Sequence, residues 1–196
     1  MAEKSTFEFR NGTNIVFRGD LKETLCRGED CEVMTKYPYG FCDRHLQSMF
    51  KLRIGPTTLS AVEGDGLFAF NGDESDKKSI LFRGVKERKL SRFEGDVIVR
   101  YEGEELTEDE VKERYPEIDG NGPYVLKTSE SMFLDAAIVR SPAALINHKR
   151  SRDANCRFGQ NGVIIAKKCI RNMDELFCSY EYMPDLEKKG YSFSTF

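Results

Sequence analysis

Apolar positions along the chain fall in short runs, separated by glycine, proline and charged stretches, and few runs have helical spacing. Residues 1–20 alternate weakly through Phe7, Phe9, Ile15, Val16 and Phe17, which predicts one or two short strands. Residues 43–53, DRHLQSMFKLR, put Leu46, Met49 and Phe50 on one face and predict a short helix. Residues 58–70 read as a strand TLSAV, a turn EGDG and a second strand LFAF, followed by a charged loop over 71–79. Further strands are expected in ILFRGV and DVIVRY. Thr107 with Glu110 makes a capping box that starts a short helix in EDEVKERY, and Pro116 with DGNGP ends it. PYVL and FLDAAIV are strand-like, RSPAALINH begins as a helical turn, and GVIIAKK and ELFCSYEY are late strands. Strands and helices do not alternate as βαβ units, so a nucleotide-binding parallel sheet is not expected. The pattern predicts a mostly β fold with short helices.

Composition narrows this picture. The 196 residues are 39% hydrophobic and 32% charged, enough apolar matter for one core under a well-solvated surface. A net charge of −3 gives no overall nucleic-acid footprint, so direct nucleic-acid binding is not expected. Basic residues do cluster in KRSRD, where Lys149, Arg150 and Arg152 read as a solvated loop. The first residues, Met-Ala-Glu-Lys, lack the apolar segment of a signal peptide, and no apolar run reaches the ~18 residues of a membrane span. An intracellular, reducing compartment is the expectation, and no membrane partner.

That compartment changes the reading of the cysteines. Cys26, Cys31 and Cys42 crowd together beside His45, in the pattern C-x4-C-x10-C-x2-H. Zinc takes four sulfur or nitrogen ligands in a tetrahedron, and two close pairs of ligands suit it. The spacing predicts a structural zinc site on Cys26, Cys31, Cys42 and His45. This loop has little apolar content to fold it otherwise, so metal binding would supply its folding free energy. Cys156 and Cys169 read as small core residues.

Four segments then carry chemistry in order: Gly64-Asp65-Gly66-Leu67 before a strand, Tyr101 with Gly103 and Glu104, Asn147-His148 with Asn155, and Glu175-Leu176 with Tyr180. A lone glycine turn is usually only a hairpin turn. The four together, over roughly residues 55–182, resemble the signature of SET-domain protein lysine methyltransferases. The resemblance implies small β-sheets with a knot-like threading of the C-terminal part, a β-clip-like arrangement. It implies S-adenosylmethionine as methyl donor and a protein lysine as acceptor, commonly on a histone tail, the two meeting through a narrow channel. It places Tyr180 as the catalytic tyrosine. It places Gly64, Asp65, Gly66, Leu67, Tyr101, Asn147 and His148 at the donor, and Tyr124, Cys178 and Tyr182 beside the substrate. In such a channel an amine of ordinary pKa about 10.4 must be held neutral, which desolvation beside a sulfonium favours.

The sequence departs from the family pattern at several points. The loop after His148 is about two residues longer and basic. Cys178 stands where the family often has Phe or Tyr, which leaves room for more than one methyl group. No cysteine-rich tail follows Tyr182, so Tyr191, Phe193 and Phe196 are candidates to close the site. The expected organisation is a zinc-binding region over 1–53, a SET domain over 54–184 and a closing tail over 185–196. A nuclear protein follows from the family's usual substrates. The other class of function is a SET-like scaffold that has lost catalysis and binds chromatin or a protein partner.

Overall fold

The computed structural model describes residues 7–10, 14–17, 24–35, 40–60, 64–72, 89–116, 122, 124–129, 131–137 and 140–180. The strands expected in ILFRGV, residue Tyr182 and the aromatic tail lie outside the described residues. What is described is a set of short sheets, antiparallel except for one parallel pair, with two short helices, the mostly β architecture that the sequence predicts. No helix among the described residues is long and apolar enough to cross a membrane.

The N-terminal part holds two hairpins, β1 (Phe7–Arg10) with β2 (Asn14–Phe17), and β3 (Thr24–Leu25) with β4 (Met34–Thr35). Helix α1 (Asp43–Phe50) follows and buries Leu46. It stops three residues before the expected end at 53, because Lys51 adopts the left-handed conformation and its N–H closes on the Gln47 and Leu46 carbonyls. Arg92 reinforces this stop by donating to the Phe50 carbonyl.

The chain then runs directly into β5 (Leu52–Pro56), which pairs antiparallel with β6 (Asp65–Ala69) in the register Gly55 opposite Gly66. The first strand of this hairpin is thus LRIGP and not TLSAV, which corrects the sequence expectation. An expected domain division after residue 53 falls inside β5. Strand β6 is buried along most of its length because it is paired on both edges. On its second edge the Leu176 and Met173 amides donate to Leu67 and Ala69, and the Ala69 amide donates to Asp174. A strand covered on both sides reads as a continuous apolar run, which is why LFAF has no alternation.

The remaining sheets complete the core. Strands β7 (Leu90–Arg92) and β15 (Ile170–Arg171) pair, and β14 (Val163–Ala166) lies between β8 (Val97–Arg100) and β13 (Cys156–Phe158). Strand β13 is a segment the hydrophobic pattern does not show. A third sheet joins β9 (Glu104–Thr107), β11 (Met132–Asp135) and β10 (Val125–Lys127), with α2 (Glu108–Arg114) packed on it. The predicted capping box is present in both directions, Thr107 accepting from the Glu110 amide and Glu110 from the Thr107 amide. Tyr115 and Arg114 both reach the buried Asp135 carboxylate, which anchors α2 to this sheet. Cys169 is exposed, which corrects its reading as a core residue, whereas Cys156 is buried. Cys169 follows the exposed Lys167 and Lys168 and precedes β15, whose first residue, Ile170, takes the inward position.

Candidate active site

The site is organised by a pairing between distant segments. Strand β12 (Asn147–His148) runs parallel to β16 (Phe177–Cys178), with Asn147 opposite Phe177 and His148 opposite Cys178. Asn155 fixes this pairing from inside. Its amide donates to the Glu175 carbonyl at 2.7 Å, and its side-chain oxygen accepts from the Phe177 amide at 2.8 Å. Buried polar groups demand partners, so an Asn here satisfies two backbone groups that a bend in the chain leaves free.

Tyr180 is held at both ends. Its N–H donates to His148 Nδ1 at 3.0 Å, and its hydroxyl donates to the Ile146 carbonyl. His148 Nδ1 therefore presents its lone pair, and a neutral ring carries its proton on Nε2. The rings of His148 and Phe158 lie 5.2 and 6.2 Å from the Tyr180 ring, centre to centre. Burial pushes the Tyr180 phenol well above the usual tyrosine range, with Cys178 and Tyr124 adding to the shift. A phenol so held stays protonated at neutral pH, so it serves as a hydrogen-bonding group and not as a base.

Glu175 forms the centre of the neighbouring corner. It is 4% exposed and accepts four hydrogen bonds. Thr57 and Asn147 donate to one oxygen, at 2.7 and 3.0 Å. The Thr58 amide and hydroxyl donate to the other, both at 2.6 Å. Asn147 also reaches Thr57 Oγ1 and the Asp65 carbonyl, so its amide ties β12 to the glycine bend. Gly66 sits against this carboxylate, and a Cβ there would lie 2.3 Å from Glu175 Oε1. Gly64 has φ +146° and open space where a Cβ would stand. Leu67, the next residue of the bend, is fully buried.

A second wall comes from the β8 end. Tyr101 is buried and donates to the Tyr124 carbonyl at 2.9 Å. Arg140, also buried, lies over the Tyr124 ring at 4.1 Å and donates to the Ala136 and Ala137 carbonyls. Burial raises the Tyr101 phenol far above its ordinary range, with Tyr180 and Tyr124 adding to it. Cys178 is fully buried, and its thiol is raised by its hydrogen bond with Cys156 and by burial. The structure thus gathers Gly66, Asp65 and Asn147 around Glu175, and Tyr180, His148 and Cys178 along β12 and β16. Tyr101 and Tyr124 form one hydrogen-bonded pair that joins the same core.

The sequence pattern quotes Glu175 only as a motif member and does not single out Thr57, Thr58, Ile146, Phe158 or Arg140. The Thr-Thr pair after Pro56 is the one local signal, since paired hydroxyls beside a turn are ready donors. Lys149 is a correction: it is half-buried, with its ammonium 3.7 Å from the centre of the Phe177 ring, whereas Arg150 and Arg152 are exposed as expected. A cation over an aromatic face gains from the ring quadrupole.

The four candidate metal ligands converge as well. One ligand atom from each of Cys26, Cys31, Cys42 and His45 lies within 4.8 Å of all the others. His45 Nδ1 is 3.2 Å from Cys26 Sγ and 3.4 Å from Cys42 Sγ, and Cys31 Sγ is 3.9 Å from Cys42 Sγ. Zinc with bonds of about 2.3 Å to sulfur and 2.0 Å to nitrogen implies ligand separations of roughly 3.5–3.8 Å, so the set fits a tetrahedral ion. Burial alone would raise the Cys26 thiol, but the Cys42 and Gly28 amides, with His45 and Cys42, bring it down to about 6. Gly28 packs so closely that a Cβ would meet the His45 ring at 2.2 Å. Arg27 pairs with Glu102 at 3.0 Å, a surface contact between this module and the loop after β8. Pairs as exposed as this one contribute under about 1 kcal/mol.

Comparison with known proteins decides the family. Residues 92–181 match the family model described as SET domain. This segment is a SET domain. It contains β12, β16, the Glu175 corner and Tyr180. Solved structures of the polycomb repressive complex 2 of Chaetomium thermophilum resemble the chain. An apo form carrying two mutations in Ezh2 matches with a TM-score of 0.50 and 26% identity, over 70% of this chain and 16% of that one. A form described as autoinhibited and bound to S-adenosylmethionine gives 0.48 and 26%, over 70% and 16%. A crystal structure of the complex gives 0.47 and 25%, over 66% and 15%. The chain therefore spans about a sixth of the length of those chains. No curated protein matches it.

Proposed function

We propose that the chain is a protein lysine methyltransferase that uses S-adenosylmethionine, with a lysine of a histone tail as its first candidate substrate. The observation that carries this reading is the parallel pairing of β12 with β16, which sets Asn147 beside the Gly64–Gly66 bend and His148 beside Tyr180. When bound, the donor supplies a methyl group on a positively charged sulfur. The chain's residues suit such a group: an open glycine bend, a buried carboxylate and uncharged phenols. Asp65, Gly66 and Leu67 would offer backbone groups, and Asn147 and His148 would close the corner. The protein's task is to align acceptor and donor, and alignment alone supplies up to about 7–11 kcal/mol in favourable cases. Tyr180 and the Ile146 carbonyl would orient the reacting groups, and a buried aromatic surround favours an uncharged amine. Tyr124 and Cys178 would line the acceptor side, and Tyr182 belongs to the same proposal. The small Cys178 favours transfer of more than one methyl group.

Zinc on Cys26, Cys31, Cys42 and His45 is the second part of the reading, with a structural role, since all four positions are protein ligands. The test is calorimetric titration with S-adenosylmethionine, followed by radiolabel transfer to histones, with Tyr180→Phe as control. Donor binding with transfer that falls at least about 100-fold in the Tyr180→Phe protein is expected. Binding without transfer to any of a broad panel of proteins would favour the scaffold alternative.

A further inference from the structure

The exposed apolar side chains of this molecule are not scattered. Among the described residues seven large ones are exposed, and six of them fall in two places. Leu25, Val33 and Met34 lie on the β3–β4 hairpin, and Leu90, Phe93 and Val97 lie on β7, β8 and the turn between them. All six are between 39 and 65% exposed. Single apolar residues at a surface are ordinary, whereas grouped ones mark places where another surface docks.

The two groups carry opposite charge. On the hairpin, Thr35 faces inward, so Met34 faces outward, with Leu25 opposite it on the same side. The loop that joins the two strands presents Glu29, Asp30 and Glu32 to solvent. Of the cations nearby, Arg27 pairs with Glu102 and Arg44 lies beside Cys31 Sγ. At the second group the sheet register places Val97 next to Ile165, and Ile165 next to the exposed Arg157. The Gly95 amide donates to the Ala166 carbonyl, which brings the exposed Lys167 and Lys168 to the turn that carries Phe93. Arg171, also exposed, stands opposite Leu90. These four cations border the second group against Glu94, Asp96 and Asp174, and the last two accept the Phe93 and Arg171 amides. The overall charge of −3 conceals this separation.

We propose that the molecule associates with a second copy of itself, the acidic β3–β4 hairpin of one copy seated on the basic β7–β8 face of the other. Apolar side chains meet at the centre of such a contact, and the charges around them form a rim that sets orientation and suppresses wrong pairings. A second copy is the partner that the chain itself specifies, since each copy carries both halves of the complement. This association is independent of any methyl transfer.

Sedimentation velocity of the full chain from about 1 to 100 μM tests it, a range that reveals contacts of micromolar affinity. The average mass rises above that of the monomer as concentration increases. Raising the salt from about 0.05 to 0.5 M lowers it again, because salt screens exposed charges. Glu29→Lys with Glu32→Lys, and separately Arg157→Glu with Lys168→Glu, each weaken association at least about tenfold. An equimolar mixture of the two variants regains it, since the reversed hairpin of one then meets the reversed β7–β8 face of the other. Misfolding of either variant could not produce that recovery. A wild type that stays monomeric at about 100 μM overturns the proposal. So does a mixture of folded variants that stays monomeric. A wild-type association that salt leaves unchanged overturns it as well, the readout that stands if a variant does not fold.

Discussion

Gly66→Ala isolates the Glu175 corner as a problem of contact. Gly66 does not adopt positive φ, so its backbone suits alanine, and all of the penalty lies in the side chain's space. The new Cβ would lie 2.3, 2.8 and 3.2 Å from Oε1, Cδ and Cγ of Glu175. An ordinary carbon–oxygen contact is about 3.3 Å or longer, so the carboxylate must retreat by roughly 1 Å. The flexible end of an exposed glutamate would move freely. This one is buried with four donors closed on it, and a 1 Å shift takes it out of bonding range of Thr57 and Asn147. Hydrogen bonds to a charged group contribute about 1.5–3 kcal/mol each. Losing one to two of them, offset by about 0.5–1 kcal/mol gained when alanine replaces a strand glycine, leaves a cost of about 2–4 kcal/mol.

A double-mutant cycle makes this refutable. In a Glu175→Ala background the obstacle is gone, and Gly66→Ala is then expected to cost less than about 1 kcal/mol or to stabilise slightly. Urea unfolding with unchanged m-values gives all four stabilities. Equal costs of Gly66→Ala in both backgrounds, or a cost under about 0.5 kcal/mol in the wild type, would refute the reasoning. Gly64→Ala is the internal control. It meets nothing within 4 Å but must hold φ +146°, so its cost of about 1–3 kcal/mol is set by the backbone and Glu175→Ala leaves it unchanged.

Three further outcomes are expected. The purified chain holds about one zinc ion, and Cys42→Ala lowers the metal content to near zero and loosens α1; elemental analysis with far-ultraviolet dichroism reads both, and a chain that takes up no zinc at pH 7 refutes the site. Tyr101, Tyr115 and Tyr180 stay protonated where an ordinary tyrosine ionises near pH 10, because burial raises all three. The unfolded chain loses those protons first, so the stability they contribute is fully present below about pH 10 and falls as pH rises beyond it. Absorbance at the tyrosinate band checks this, and one uniform transition near pH 10 for all eight tyrosines of the folded chain would contradict it. Tyr180→Phe should bind donor within about threefold of the wild type while transfer is lost, as expected of a hydroxyl that acts at the reacting groups.

How much of this was legible depends on the range of the interaction involved. The capping box of α2 needs only residues three apart, and Thr107 with Glu110 states it outright. The convergence of Cys26, Cys31, Cys42 and His45 is readable from spacing, since two close pairs limit the possible geometry. The position of β5 was not. LRIGP and TLSAV are both plausible strands, and what selects the first is α1 ending at Lys51 and the need for Gly55 opposite Gly66. Strand β13 escaped because Cys156–Phe158 is too short to carry a period and exists through its pairing with β14. The motif resemblance singled out Asn147, His148 and Tyr180, which the structure brings together. It did not show the roles of the Ile146 carbonyl and the Glu175 carboxylate, because both arise from the pairing of β12 with β16, some thirty residues apart.

The same long-range logic links the Cys26, Cys31, Cys42 and His45 cluster to the ligand corner. Helix α1 has eight residues, fewer than a helix needs to persist alone in water. Cys42 caps its start without a side-chain hydrogen bond, and His45 lies in its first turn. One of the four candidate metal ligands therefore sits at the N-cap and another in the first turn, and a zinc ion bound there would replace the missing cap. At its other end α1 passes through a single residue, Lys51, into β5, and β5 sets the register of β6 over five residue pairs. Strand β6 begins at Asp65 and places Gly66 against Glu175. A metal bound at the start of α1 would thus fix, through one helix and one hairpin, the strand on which the candidate ligand corner is built.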